Sequence, residues 1–202
     1  MCGRNLALAF VSVFSLSAVL SPCAAQPAGA ALTPAITIDP SVAVLDKPYA
    51  VRADGRTFFV VGRVTEGAVD SVVGYTRTGK RSVSPIICDP EPVEALRLTV
   101  AKALKAQRVL AESAKYASYV IEVWADLKVA EETKPVHQAI SAVMKVEVSV
   151  WDARDPGRVK KKFKMEAVGE RKTFDTTKHA VTAAREAMRS AAVEILKSLD
   201  SL

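Results

Sequence analysis

Three segments in the second half of the chain alternate apolar and polar residues position by position. From Tyr119 to Val129 the odd positions are Tyr119, Ile121, Val123, Ala125, Leu127 and Val129, set against Glu122, Asp126 and Lys128. From Ile140 to Val150 the even positions are Ile140, Ala142, Met144, Val146, Val148 and Val150, set against Lys145, Glu147 and Ser149. From Val159 to Ala167 the odd residues Val159, Phe163, Met165 and Ala167 oppose Lys160, Lys162, Lys164 and Glu166. A period of two with one apolar side belongs to a strand with one buried and one wet face, and predicts an antiparallel sheet covered on one side. The polar stretch Asp152-Ala153-Arg154-Asp155-Pro156-Gly157 supplies the turn between the last two strands.

Two segments follow a helical period instead. Asp89-Pro90-Glu91-Pro92 has an N-cap residue, a proline suited to the first helical position and an early acid; Val93, Leu96, Val100, Ala103 and Leu104 then keep to one face. The spacing predicts a helix over 90–111. A second helix is predicted over 176–199, where Ala180, Ala183, Ala184, Met188, Ala191, Ala192 and Ile195 make a stripe of mostly small residues that permits close approach to a sheet. Thr57–Thr65 (TFFVVGRVT), after the turn pair Asp54-Gly55, reads as an early strand, and 66–87, with scattered glycines and charges, as a long loop. The expected architecture is a two-layer α+β sandwich: an antiparallel sheet with two helices packed on one face, in the order β-α-β-β-β-α.

The beginning of the chain reads as an address. Arg4 is followed by the uncharged run 6–20 (LALAFVSVFSLSAVL) and then by small residues, the pattern of a signal peptide over 1–25. The run is short for a membrane span, which needs about 20 apolar residues. Residues 26–50 read as an Ala/Pro-rich tether and extended arm, with short extended pieces at 36–38 and 42–44, and 51–202 as a single α+β domain. The junction LSPCAAQ allows two cuts: before Cys23, which would then carry lipid, or after Ala25, which would release a soluble chain.

Composition adds limits. Of 202 residues, half are hydrophobic and a quarter charged, enough to bury a core; the net charge is +6, or +5 once Arg4 is removed, which suits an anionic envelope surface without indicating nucleic acid. Cys88, in the apolar stretch SPIIC, reads as a small buried hydrophobe and not as a nucleophile. His137 and His179 have no metal-ligand companions at the right spacing, and no phosphate loop, nucleophile elbow or catalytic triad is present, so neither metal nor cofactor is expected.

Two features invite a binding role. Lys160, Lys162 and Lys164 share one face of the last strand, as a solvated edge balanced across the hairpin by Glu147 or as a docking surface for anionic headgroups or cell-wall polymer. Trp124 and Trp151 fall opposite the core with Val120 and Val143, which makes that face a contact surface for a partner, for the membrane interface, or for the arm 36–44.

The order of these features resembles the YajG-type envelope lipoproteins of Gram-negative bacteria. The resemblance runs from Ala31 to Lys197 and rests on Leu32-Thr33-Pro34, Gly55, TFFVVGRV, the loop Val73-Gly74-Tyr75-Thr76-Arg77-Thr78-Gly79, the helix PVEALRLTVAKALKAQRV and the strand YASYVIEVWADLKV. Two departures stand out: Gln107-Arg108 replaces the glycine that ends the family's first helix, so a later end is expected, and Pro22 replaces the small residue before the lipidated cysteine. The resemblance implies lipidation at Cys23 and, since Ala24 is not the Asp that retains lipoproteins in the inner membrane, an outer-membrane address. It implies no catalytic activity. The expected function is a periplasm-facing, lipid-anchored protein that binds an envelope component; the alternatives are an adaptor lipoprotein of a trans-envelope transport system and, behind it, a soluble secreted enzyme.

Overall fold

The computed structural model describes residues 31–32, 35–40, 45, 49–63, 71–77, 82–133, 138–173 and 176–202. The leader, Cys23 and His137 lie outside the described residues. Among the described residues eight strands form one sheet: β1 (Ala31–Leu32), β2 (Ile36–Ile38), β3 (Phe58–Gly62), β4 (Val72–Arg77), β5 (Ser82–Cys88), β6 (Tyr119–Thr133), β7 (Gln138–Asp152) and β8 (Asp155–Thr173). Two α-helices, α1 (Pro92–Ala106) and α2 (Thr176–Leu199), complete the α+β fold.

The central order is β1-β5-β4-β6-β7-β8, with β2 also on β5 and β3 on β6. Strands β6, β7 and β8 form the antiparallel meander that the alternation predicts, in unbroken register from Tyr119↔Asp152 to Thr133↔Gln138 between the first two. The sheet as a whole is mixed, which corrects the all-antiparallel expectation: β3 runs parallel to β6, and β1 and β2 run parallel to β5. Alternation reports which face of a strand is buried and is silent on the direction of its neighbour.

The expected long loop over 66–87 is also corrected, since it contains β4 and β5, an antiparallel pair. Gly74 and Pro85 interrupt any pattern there, yet each has a place. A Cβ on residue 74 would sit 2.0 Å from the Val129 carbonyl oxygen, so only glycine lets β4 touch β6. The element order therefore differs from β-α-β-β-β-α by the strands added before α1. The described part of the N-terminal arm extends this sheet, with Ile38 buried beside Cys88 in the core.

The first helix is shorter than predicted. It starts after Glu91, with Pro92 in its first turn, and stops at Ala106. Arg108, at φ 60°, takes the left-handed conformation, its N–H donates to the Lys105 carbonyl, and that of Val109 reaches back to Leu104. This is a Schellman stop with arginine in the position that usually holds glycine, so the expectation of a later end is corrected. The second helix has the predicted bounds. Helix α1 lies against β3 and β6, α2 against β7 and β8, and the helices touch each other. One core joins Ile121, Val123, Ala125, Leu127 and Val129 of β6 to the even residues 140–150 of β7 and to both helical stripes. The small stripe of α2 has the predicted consequence: a Cβ on Gly169 of β8 would fall 2.1 Å from the Ala183 carbonyl oxygen.

Candidate functional site

The side of β6, β7 and β8 turned away from the helices is where the predicted binding residues collect, and the strand register orders them in rows. At one end Phe59, Val120, Trp151 and Val159 lie side by side across β3, β6, β7 and β8. The next row is Val61, Glu122, Ser149 and Lys162; the one after it joins Trp124, Glu147 and Lys164, with Arg63 at its margin. Further along come Asp126, Lys145 and Glu166, then Lys128, Val143 and Val168.

Val159 is a correction to the alternation. The register of β8 slips between Val150↔Lys161 and Trp151↔Val159, so a bulge at Lys160 moves Val159 from the core side to the open side, 43% exposed. The bulge also brings Lys160 within 3.5 Å of Asp152. The Arg154 backbone N–H, 3.0 Å away, and then Lys160 hold the Asp152 carboxyl below its ordinary range.

The lysines do not form a uniform positive field. Lys164 is paired with Glu147, which also takes a 3.1 Å contact from Arg63, and the Lys164 bond leads the effects that keep the Glu147 carboxyl below its usual range. Lys162 stands exposed opposite Ser149. Lys161, on the other side of the strand, donates to the Ser198 carbonyl at 2.8 Å and the Ser201 hydroxyl at 2.6 Å, tying β8 to the end of α2. The expectation of balance across the hairpin by Glu147 thus describes Lys164, while Lys160 uses Asp152.

The two tryptophans share a face without forming one patch. Trp151 is opposite Val120 and Trp124 opposite Glu147, so four residues of β6, about 13 Å, and a row containing Glu122 separate them. The described part of the arm does not cover them, because Ile36–Ile38 pairs with β5. Trp151 instead lines a groove of about 410 Å³ with Val120, Ala153, Pro156, Ala114 and Lys115. Beside it Tyr116 is 67% exposed, with the Lys115 ammonium 5.8 Å from its ring centre. Sequence reading missed Tyr116, Phe59 and Val159. The alternation TFFVV could have placed Phe59 opposite the core, but only the parallel pairing of β3 sets it beside Val120.

A second groove, about 360 Å³, runs between β3 and the start of α1, lined by Phe59, Gly62, Val93, Glu94 and Arg97. Of the charged groups along it, Glu94 and Arg97 are spent on each other in paired 2.6 Å bonds and Arg63 is drawn to Glu147. Cys88 is buried, its thiol 3.2 Å from the Pro90 carbonyl, and burial pushes its pKa up to about 12. Among the described residues no group of three His, Cys, Asp or Glu side chains is placed to hold a metal ion, and no helix is long and apolar enough to cross a membrane.

The fold has a solved counterpart. A Xanthomonas campestris protein of the family model DUF330 superposes with a TM-score of 0.57 at 15% identity, over 80% of this chain and 93% of that one. A minor lipoprotein from Acinetobacter baumannii gives a TM-score of 0.48 at 12% identity, over 72% of this chain and 93% of its own. No family model matches this chain, and no curated protein does. At such identities the first likeness is one of fold.

Proposed function

We propose that this is an exported, lipid-anchored protein of the bacterial envelope whose α+β domain binds an envelope component through the Trp151 end of its open sheet face, without catalytic activity of its own. The leader pattern and the YajG-type resemblance support export and lipidation at Cys23, facing the periplasm from the outer membrane. The observation that carries the binding reading is the apolar row Phe59, Val120, Trp151 and Val159, edged by the exposed ring of Tyr116 and an open groove. Aromatic and aliphatic groups held on a rigid sheet make a contact surface that loses little side-chain freedom when a partner covers it.

A photo-crosslinking residue at position 116, introduced in cells, tests this. One envelope component should be captured, lost in Trp151→Ala and retained in Trp124→Ala, because the two indoles belong to different rows. Capture that ignores Trp151→Ala, or none, counts against the surface. Intact mass of the mature chain tests the anchor separately: diacylglyceryl on Cys23 is expected, and an unmodified start near Gln26 would remove it. Co-purification of a transporter with a stable ring of copies would instead favour the adaptor reading.

A further inference from the structure

Strand β8 is 19 residues long and pairs with β7 along one edge over its whole length, from Asp155 to Thr173. No described residue pairs with its other edge. Strands average about 5–6 residues, and a long open edge is a template for a further strand. We propose that this edge pairs with the same edge of a second copy, antiparallel about a two-fold axis at Met165, so that the sheet continues through a dimer. This surface is separate from the Trp151 row and does not rest on the function proposed above.

The side chains select that register. On the open side the axis sets Lys164 opposite Glu166 of the second copy and Lys162 opposite Val168 of the second copy. On the core side it sets Phe163 opposite Ala167 of the second copy, and Met165 opposite itself. Large then meets small, and cation meets anion twice by symmetry. Phe163 and Met165 are only partly buried against the core, and Val168 is 54% exposed, so apolar surface remains to be covered on both sides. Moving the axis one residue either way sets Lys164 or Glu166 directly against its own copy. Like charges so placed are destabilising. The lysines that would ordinarily guard an edge thus have complementary partners in a second β8 in this register.

Sedimentation velocity on the purified mature chain tests the proposal, with detergent present if it carries lipid. A dimer that weakens with added salt is expected, since Lys164–Glu166 contacts contribute to it. Val168→Lys puts two new Lys–Lys contacts across the axis and should weaken the dimer on the order of tenfold, while Val168→Glu replaces them with Lys–Glu contacts and should tighten it severalfold. The site is exposed, and circular dichroism checks that both variants keep the fold. A chain monomeric at every concentration overturns the proposal. So does a dimer indifferent to both substitutions, which must use another surface.

Discussion

Arg108 sits where a helix stop asks for glycine. A side chain at φ 60° meets the carbonyl crowding that makes left-handed backbone costly for residues with a Cβ, and the Schellman bonds hold it there. Removing a left-handed penalty of about 1–2 kcal/mol against an added backbone entropy of about 0.5–1 kcal/mol for glycine, Arg108→Gly should raise the unfolding free energy by up to about 1 kcal/mol, read by chemical denaturation; a loss would mean that the guanidinium contributes more than the backbone strain costs. The missing glycine suggests a longer helix in the sequence, yet the helix stops here, because a run of helix formers does not show that the next strand needs the chain to turn back at this point. At Cys88 the reading of a buried apolar residue agrees with the structure. With its pKa at about 12, its thiol should resist alkylation at neutral pH until the protein is unfolded, whereas fast labelling of the native chain would contradict its burial.

Among the elements, those with one wet face were legible. Strands β6 to β8 announce themselves by period and α2 by its stripe, since each contrasts apolar and polar sides along its own length. Strands β4 and β5 do not. Beyond pairing with each other, they are matched to neighbours far away in sequence, Gly74 to Val129 and Ser82–Cys88 to the arm. Close approach between elements is likewise visible only after folding. Ala183 and Ala187 of α2 lie over Gly169, so Gly169→Ala must push the helix off the sheet or bend β8. Such overpacking typically costs about 1–3 kcal/mol, and the midpoint of denaturant unfolding should fall accordingly. An unchanged midpoint would show that α2 can lift freely.

Over the whole molecule, polar contacts of residues 49–52 tie both helix ends together. Tyr49 donates to the Asp200 carboxylate, which also accepts from the Arg52 N–H at 2.8 Å; the Gln107 amide donates to the Tyr49 carbonyl at 2.9 Å and accepts from the Val51 N–H at 2.7 Å. The Tyr49 bond leads the effects that lower the Asp200 pKa, as the Lys164 bond does for Glu147 and the Arg154 N–H for Asp152. Each carboxyl binds its proton more weakly folded than unfolded. Its contribution is therefore fully present above the unfolded values near 3.9–4.3 and is lost as pH falls through the lower folded values. Thermal stability should be level from pH 6 to 8 and decline below about pH 4.5, with a shallower decline in Asp200→Asn and Glu147→Gln. A decline as steep in the variants as in the parent would shift the acid sensitivity to other groups. These groups are half-buried and still reached by solvent, so salt should flatten the profile in part.

The chain's own order of residues determined the α+β class, the meander, the bounds of α2, the apolar side of most strands and the facing of both tryptophans away from the core, because each is written in a period of two or of 3.6. Tertiary structure decided the parallel partners of β5 and β6, the strands inside the apparent loop and the bulge that turns Val159 outward. It also brought Phe59, Val120, Trp151 and Val159 into one row while keeping Trp124 out of it. Those are relations between segments up to a hundred residues apart. They arise when one strand's hydrogen bonds and shape meet another's, and no local period encodes them.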